Sequence, residues 1–138
     1  LLARFADYID NASLSPVRTV DHSQSVKDRL FEILMRRFDA LQKHRGGVQA
    51  LLKGLQREPG EAVMLAGRLT RSMAATLSAA GAEAHGLMGL ARTEALKAVY
   101  ASALRAWCAD DTEDLAKTMA ALDKALGYAE RAANVLKG

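Results

Sequence analysis

The sequence is poor in the residues that staple, break or decorate a fold. It has one cysteine, Cys108, so no internal disulfide can form, and the chain suits a reducing compartment. It has two prolines, Pro16 and Pro59, and aromatic residues make up only 5% of it. β-branched residues are sparse, which disfavours sheets. No apolar run approaches the roughly 20 residues that span a bilayer, so stable membrane insertion is not expected. The first residues, Leu1-Leu2-Ala3-Arg4-Phe5-Ala6-Asp7, are amphipathic and lack the basic-then-apolar order of a secretory leader. Together these absences predict a cytoplasmic protein.

Alanine and leucine supply most of an apolar half, a mixture that favours close-packed helices. With 138 residues, the chain is expected to be a single all-α domain with a core of its own. The formal net charge is +3, but acids and bases are interspersed rather than gathered into the dense basic stripe of a DNA-reading domain.

Helical spacing divides the chain into six segments. Leu1, Leu2, Phe5, Tyr8 and Ile9 make one stripe of a helix running to about Ala12. It begins with no capping residue, so a segment ahead of it is expected. Ser13 to Ser23, with Pro16, reads as a connection. A second helix starts at Ser25, an N-cap with Asp28 three residues on, and carries Val26, Leu30, Ile33, Leu34, Phe38 and Leu41 inward. Gly46-Gly47 is expected to end it. A short third helix covers Val48 to Gln56. Pro59 opens the fourth from its first turn, Leu65, Leu69, Met73 and Leu77 face inward, and Gly81 stops it. The fifth spans about His85 to Ala109. It has a buried-type stripe of Leu96, Tyr100, Ala103 and Trp107 and a second face of small residues, Ala91, Ala95, Ala98 and Ser102. After a tight Ala109-Asp110-Asp111 turn, Asp111 or Thr112 is expected to cap the sixth helix.

The sixth helix has the clearest pattern. Leu115, Met119, Leu122, Leu126, Ala129, Ala133 and Leu136 alternate steps of four and three, a heptad seam of the kind that packs helices at about 20°. The hairpin of helices five and six has more apolar and small-residue surface than one partner covers. This predicts a homodimer built from two hairpins, with Leu96, Ala103, Trp107, Leu115, Met119, Leu122, Leu126 and Ala129 at its interface.

Catalytic machinery is not evident. The three histidines, His22, His44 and His85, are far apart, and no helical metal motif or phosphate-binding loop occurs. Cys108 reads as a small buried hydrophobe beside Trp107. Asp110, Asp111, Glu113 and Asp114 read as helix-capping acids, and Arg36-Arg37, with Arg45 nearby, as a solvated basic face. No catalytic residue, metal or cofactor is expected. The methionines are more suggestive. Met35, Phe38, Met64, Met73, Leu77, Met88 and Tyr100 suit a soft-walled cavity between helices, and equally an ordinary core.

Two stretches resemble the C-terminal regions of TetR-family transcription regulators. One runs from Lys27-Asp28-Arg29-Leu30-Phe31 through Met35-Arg36-Arg37-Phe38-Asp39 to Leu41. The other runs from Val99-Tyr100 through Leu104-Arg105-Ala106-Trp107, Asp110-Asp111 and Asp114-Leu115-Ala116-Lys117-Thr118-Met119 to Asp123. The likeness extends over most of the chain from about residue 25, and the opening helix resembles the connector that follows the family's helix-turn-helix. The resemblance implies a dimer through the last two helices and a small apolar or amphipathic effector among the middle ones. It also implies DNA contact only through a domain outside this chain. The Arg-Arg-Phe-Asp and Trp-x-x-Asp-Asp segments also resemble the ubiquinone-biosynthesis accessory family, which implies the same fold holding an isoprenoid lipid without DNA binding.

Overall fold

A computed structural model describes residues 2–14, 24–82 and 85–137. Among these residues the secondary structure is entirely helical: α1 (Leu2–Leu14), α2 (Val26–Gln42), α3 (Arg45–Leu55), α4 (Pro59–Ala79), α5 (Gly86–Ala109) and α6 (Ala116–Lys137). Most of the connection expected at Ser13 to Ser23, with Pro16 and His22, lies outside the described residues.

The start of α2 follows its sequence signal. Ser25 is extended, and its hydroxyl accepts from the Asp28 amide at 3.1 Å, filling one of the donors a helix start leaves open. The end does not. α2 stops at Gln42, and Gly46-Gly47 lies inside α3. The physical cause is Arg45. Its guanidinium reaches the carbonyls of Trp107 (2.8 Å) and Asp110 (2.7 Å) at the end of α5 and the Gln42 side chain (2.8 Å), which anchors the α2–α3 corner two residues ahead of the glycines.

α4 opens on Pro59 and closes through Gly81, whose φ of +82° lets the Gly81 and Ala82 amides turn back to the Ser78 and Leu77 carbonyls. Arg29 Nη1 donates to the Ala80 carbonyl at 2.9 Å and stands 2.8 Å from where a Cβ on Gly81 would sit. The dihedral therefore favours glycine, and a larger residue would also displace the end of the Arg29 side chain.

α2 is the spine. It packs on α1, α3, α4 and α6, and its Phe38 ring meets Tyr100 of α5 at 5.3 Å between centroids. Ile33, Leu34, Phe38, Met73, Ala103, Trp107 and Leu122 are essentially sealed from solvent. The largest helix–helix contact is the α5–α6 hairpin.

The link in that hairpin is longer than the expected tight turn, and α6 begins at Ala116 rather than just after Asp111 or Thr112. Asp110 organises the link. Its carboxylate accepts from the amide and hydroxyl of Thr112 (2.9 and 2.5 Å) and of Thr118 (2.8 and 2.7 Å). Leu115, just before the helix, adopts φ +57°, a left-handed conformation unusual for leucine, and its burial offsets the local cost.

Burial alone would raise the Asp110 pKa. The bonds from Thr112 and Thr118 outweigh it and hold the carboxyl well below the usual carboxylate range. Because the folded pKa is depressed, the stabilisation is fully present above the unfolded value near 4 and drains away as the pH falls below it. Asp110→Ala is expected to cost about 2 kcal/mol at neutral pH. It also makes the decline of Tm between pH 5 and pH 3 shallower than in the unaltered chain. A parallel decline in a calorimetric pH series contradicts this role.

Candidate functional site

An apolar pocket of about 250 Å³ opens between the first five helices. α1 contributes Phe5, Ala6 and Ile9, α2 Leu41, and α3 Val48, Leu51, Leu52 and Leu55. α4 adds Ala62, Leu65, Ala66 and Leu69, and α5 adds Leu104. Most of these side chains are half-buried, so solvent reaches the pocket. The spacing explains the lining: Leu65 and Leu69 lie one turn apart on α4, as do Leu51 and Leu55 on α3, and each pair presents one ridge.

Two polar residues complete the wall, Arg37 and Tyr100. Arg37 is not the solvated arginine its neighbour suggested. Arg36 pairs with Glu32 one turn back, whereas Arg37 is buried and points into the bundle. Its Nη1 donates to Asp10 Oδ1 of α1 at 2.6 Å, and its Nε donates to the Tyr100 hydroxyl at 3.0 Å. Ser72 of α4 donates to the same Asp10 oxygen at 2.8 Å. Burial opposes the Arg37 charge, but Tyr100 and Asp10 outweigh it and raise its pKa above the ordinary arginine value. One cation and one carboxylate thus cancel beside an otherwise apolar space, and the four residues join α1, α2, α4 and α5.

Further contacts hold α1. Phe5 and Tyr8 both meet the His44 ring edge-on, at 5.7 and 5.5 Å. Arg68 of α4 pairs with Asp7.

The residues singled out from sequence disperse. Tyr100 lines the pocket. Phe38 packs on Tyr100, and Met73 is sealed in the core behind it. Leu77 lines a second cavity, about 410 Å³, between the start of α2, the end of α4, the first half of α5 and the second half of α6. Met35 is half-buried. Met64 (75% exposed) and Met88 (48% exposed) lie on the surface and line neither cavity. The inward stripe of α4 is set one position beyond Met64, at Leu65, and Met88 sits in the first turn of α5. The wall is made of leucine and alanine. Helical spacing turns Leu41, Leu65 and Leu69 inward but carries no sign of which side chains face a space and which a neighbour.

The expected interface residues are also redistributed. Leu96, Ala103, Trp107, Leu115, Leu122 and Leu126 are buried within the single chain, and Met119 and Ala129 are half-buried. From Leu115 to Ala129 the seam of α6 therefore packs against its own subunit, Ala133 is exposed, and the Leu136 side chain lies outside the described residues. Left open instead is the small-residue face of α5, where Ala91, Ala95, Ala98 and Ser102 are all exposed. Beside it on α6, Ala121 and Ala125 are half-buried and Tyr128 is 58% exposed. Cys108 is exposed, not buried: one residue past Trp107, it is turned about 100° from the buried stripe.

Among the described residues no three His, Cys, Asp or Glu side chains gather as a metal set, and no helix is long and apolar enough to cross a membrane. No protein-family model matches the chain, and neither a curated protein nor a solved structure matches it significantly.

Proposed function

We propose that this chain is the effector-binding and dimerisation domain of a TetR-type transcription regulator, which holds a small apolar ligand in the pocket between α1 and α5. One observation carries the reading. The helix that would connect to a DNA-reading head, α1, is itself a wall of the pocket through Phe5, Ala6 and Ile9. Its Asp10 is bonded to the pocket residue Arg37 and to Ser72. A ligand that occupies the pocket pushes on α1 directly, and its differential affinity for two positions of α1 is what biases the head.

The pocket, at about 250 Å³, is just below the usual range of small-ligand sites, which suits a small effector. The homodimer rests on the open alanine and serine face of α5, which lets two helices approach closely.

Light scattering on the purified chain is expected to give twice the 14.8 kDa protomer mass. Ala98→Arg, on that exposed face, gives the single mass with unchanged helicity. A monomer at micromolar concentration from the unaltered chain overturns the dimer. The regulator reading itself expects the coding sequence upstream of Leu1 to encode roughly fifty residues with helix-turn-helix spacing. Its absence sinks that reading.

A further inference from the structure

The proposed reading leaves the ligand's chemistry open, and the wall residues narrow it. Tyr100 is 95% buried, being 5% exposed, and its ring is fixed between Phe38 and the Arg37 guanidinium, 5.2 Å from the ring centroid. An arginine N–H can only donate, so the bond from Arg37 Nε uses the phenolic oxygen as acceptor. The phenolic hydrogen remains, and it meets no acceptor among the described residues. A hydroxyl hydrogen with no protein acceptor is available to whatever fills the pocket, and this one belongs to a residue that lines it.

Charge narrows the class further. Arg37 is already matched by Asp10 at 2.6 Å, and among the described residues Arg37 is the only charged one of the pocket wall. An anionic ligand would leave its own charge, or that of Asp10, unmatched in an apolar space.

Resting on the effector-pocket reading, the geometry points to a specific ligand class. It is a neutral, largely apolar molecule with one carbonyl-type oxygen, which accepts the hydrogen bond of the Tyr100 hydroxyl while its hydrocarbon part lies against Leu51, Leu55, Leu65 and Leu69. Arg37 and Asp10 are positioning residues: the Asp10–Arg37 pair holds the phenol oxygen in place, with its own acceptor site taken by Arg37 Nε.

Three probes with one carbon skeleton test this by titration calorimetry: butyrophenone, n-butylbenzene and 4-phenylbutanoate. Butyrophenone differs from n-butylbenzene by a carbonyl in place of one methylene, and 4-phenylbutanoate carries the anion. The ketone is expected to bind about fivefold tighter than the hydrocarbon, the worth of one net hydrogen bond, and the carboxylate weakest of the three. Tyr100→Phe removes the donor and keeps the ring. It lowers ketone affinity to that of the hydrocarbon and leaves the hydrocarbon unchanged, a pattern that a merely structural role for Tyr100 does not produce. If the hydrocarbon binds but the ketone gains nothing, or the carboxylate binds best, the ligand class is wrong while the pocket stands. If none of the three binds, pocket and class fall together. Should Tyr100→Phe lose its cooperative melt, the ranking of the three probes on the unaltered chain decides alone.

Discussion

Leu122→Asp is expected to unfold the chain outright rather than split a dimer into folded monomers. Leu122 is fully buried, on the face of α6 that packs within its own subunit. Two costs add. Removing the leucine side chain leaves a cavity, worth about 2–5 kcal/mol on the scale of leucine-to-alanine changes. The carboxylate that replaces it has no cation or donor set within the core and must either be protonated or draw water in, at several kcal/mol more. A domain of this size has a total stability of only about 5–15 kcal/mol. Circular dichroism at neutral pH is expected to show loss of the cooperative melt. Leu122→Ala, which carries only the cavity cost, stays folded with a lowered Tm. If the aspartate variant instead keeps a full helical signal and a cooperative transition as a monomer, the residue faces a partner subunit and the packing described for α6 is wrong.

Trp107→Ala carries the second largest effect. The indole is fully buried at the end of α5, its Nε1 donates to Gln42 Oε1 at 2.9 Å, and the Arg45 guanidinium stacks on its face at 4.7 Å. Truncation removes a large core volume, about 3–5 kcal/mol. It also frees Arg45, which holds the last carbonyls of α5 only while the ring and Gln42 orient it. Tm is expected to fall by about 12–20 °C. Trp107→Phe, which keeps an aromatic face but not the N–H, recovers most of this and stays about 1 kcal/mol short. A loss below 1 kcal/mol for the alanine variant would show that α5 ends without this clamp. Because Trp107 is the only tryptophan, its emission in the unaltered chain reports the same transition and is expected to shift to the red on unfolding.

Both predictions turn on residues whose burial was legible in the sequence and whose partner was not. Leu122 and Trp107 stand on helical stripes that announce an inward face. A stripe states only that a side chain leaves water. It does not say whether its cover comes from the same chain or another. The α6 heptad seam would serve a dimer equally well, and packing on α2 and α5 of the same subunit uses most of it. The surplus surface does exist, on the alanine face of α5, where small side chains give little hydrophobic signal.

The pocket shows the same division. That the helices are amphipathic, with Leu51, Leu55, Leu65 and Leu69 turned inward, follows from periodicity. That these four border a space rather than one another depends on how far apart α3 and α4 are held. Neither helix encodes that distance alone. The methionines suit a soft cavity and an ordinary core equally by type, and Met64 lies on the outside of α4 because the stripe is set one residue on.

The sequence by itself determined the helical class, the boundaries at Ser25, Pro59 and Gly81, and the stripes of α2 and α5. These are local properties, written in caps, in a proline, in a positive φ and in spacing. Only the tertiary structure decided that Arg37 is buried and neutralised, with Asp10 27 residues before it and Tyr100 63 residues after it. It also decided that Arg45 overrides Gly46-Gly47, by reaching carbonyls 62 and 65 residues further on. Those outcomes depend on long-range hydrogen bonds. A bond between residues dozens of positions apart leaves no periodic trace in either segment, because its geometry exists only once the helices have packed.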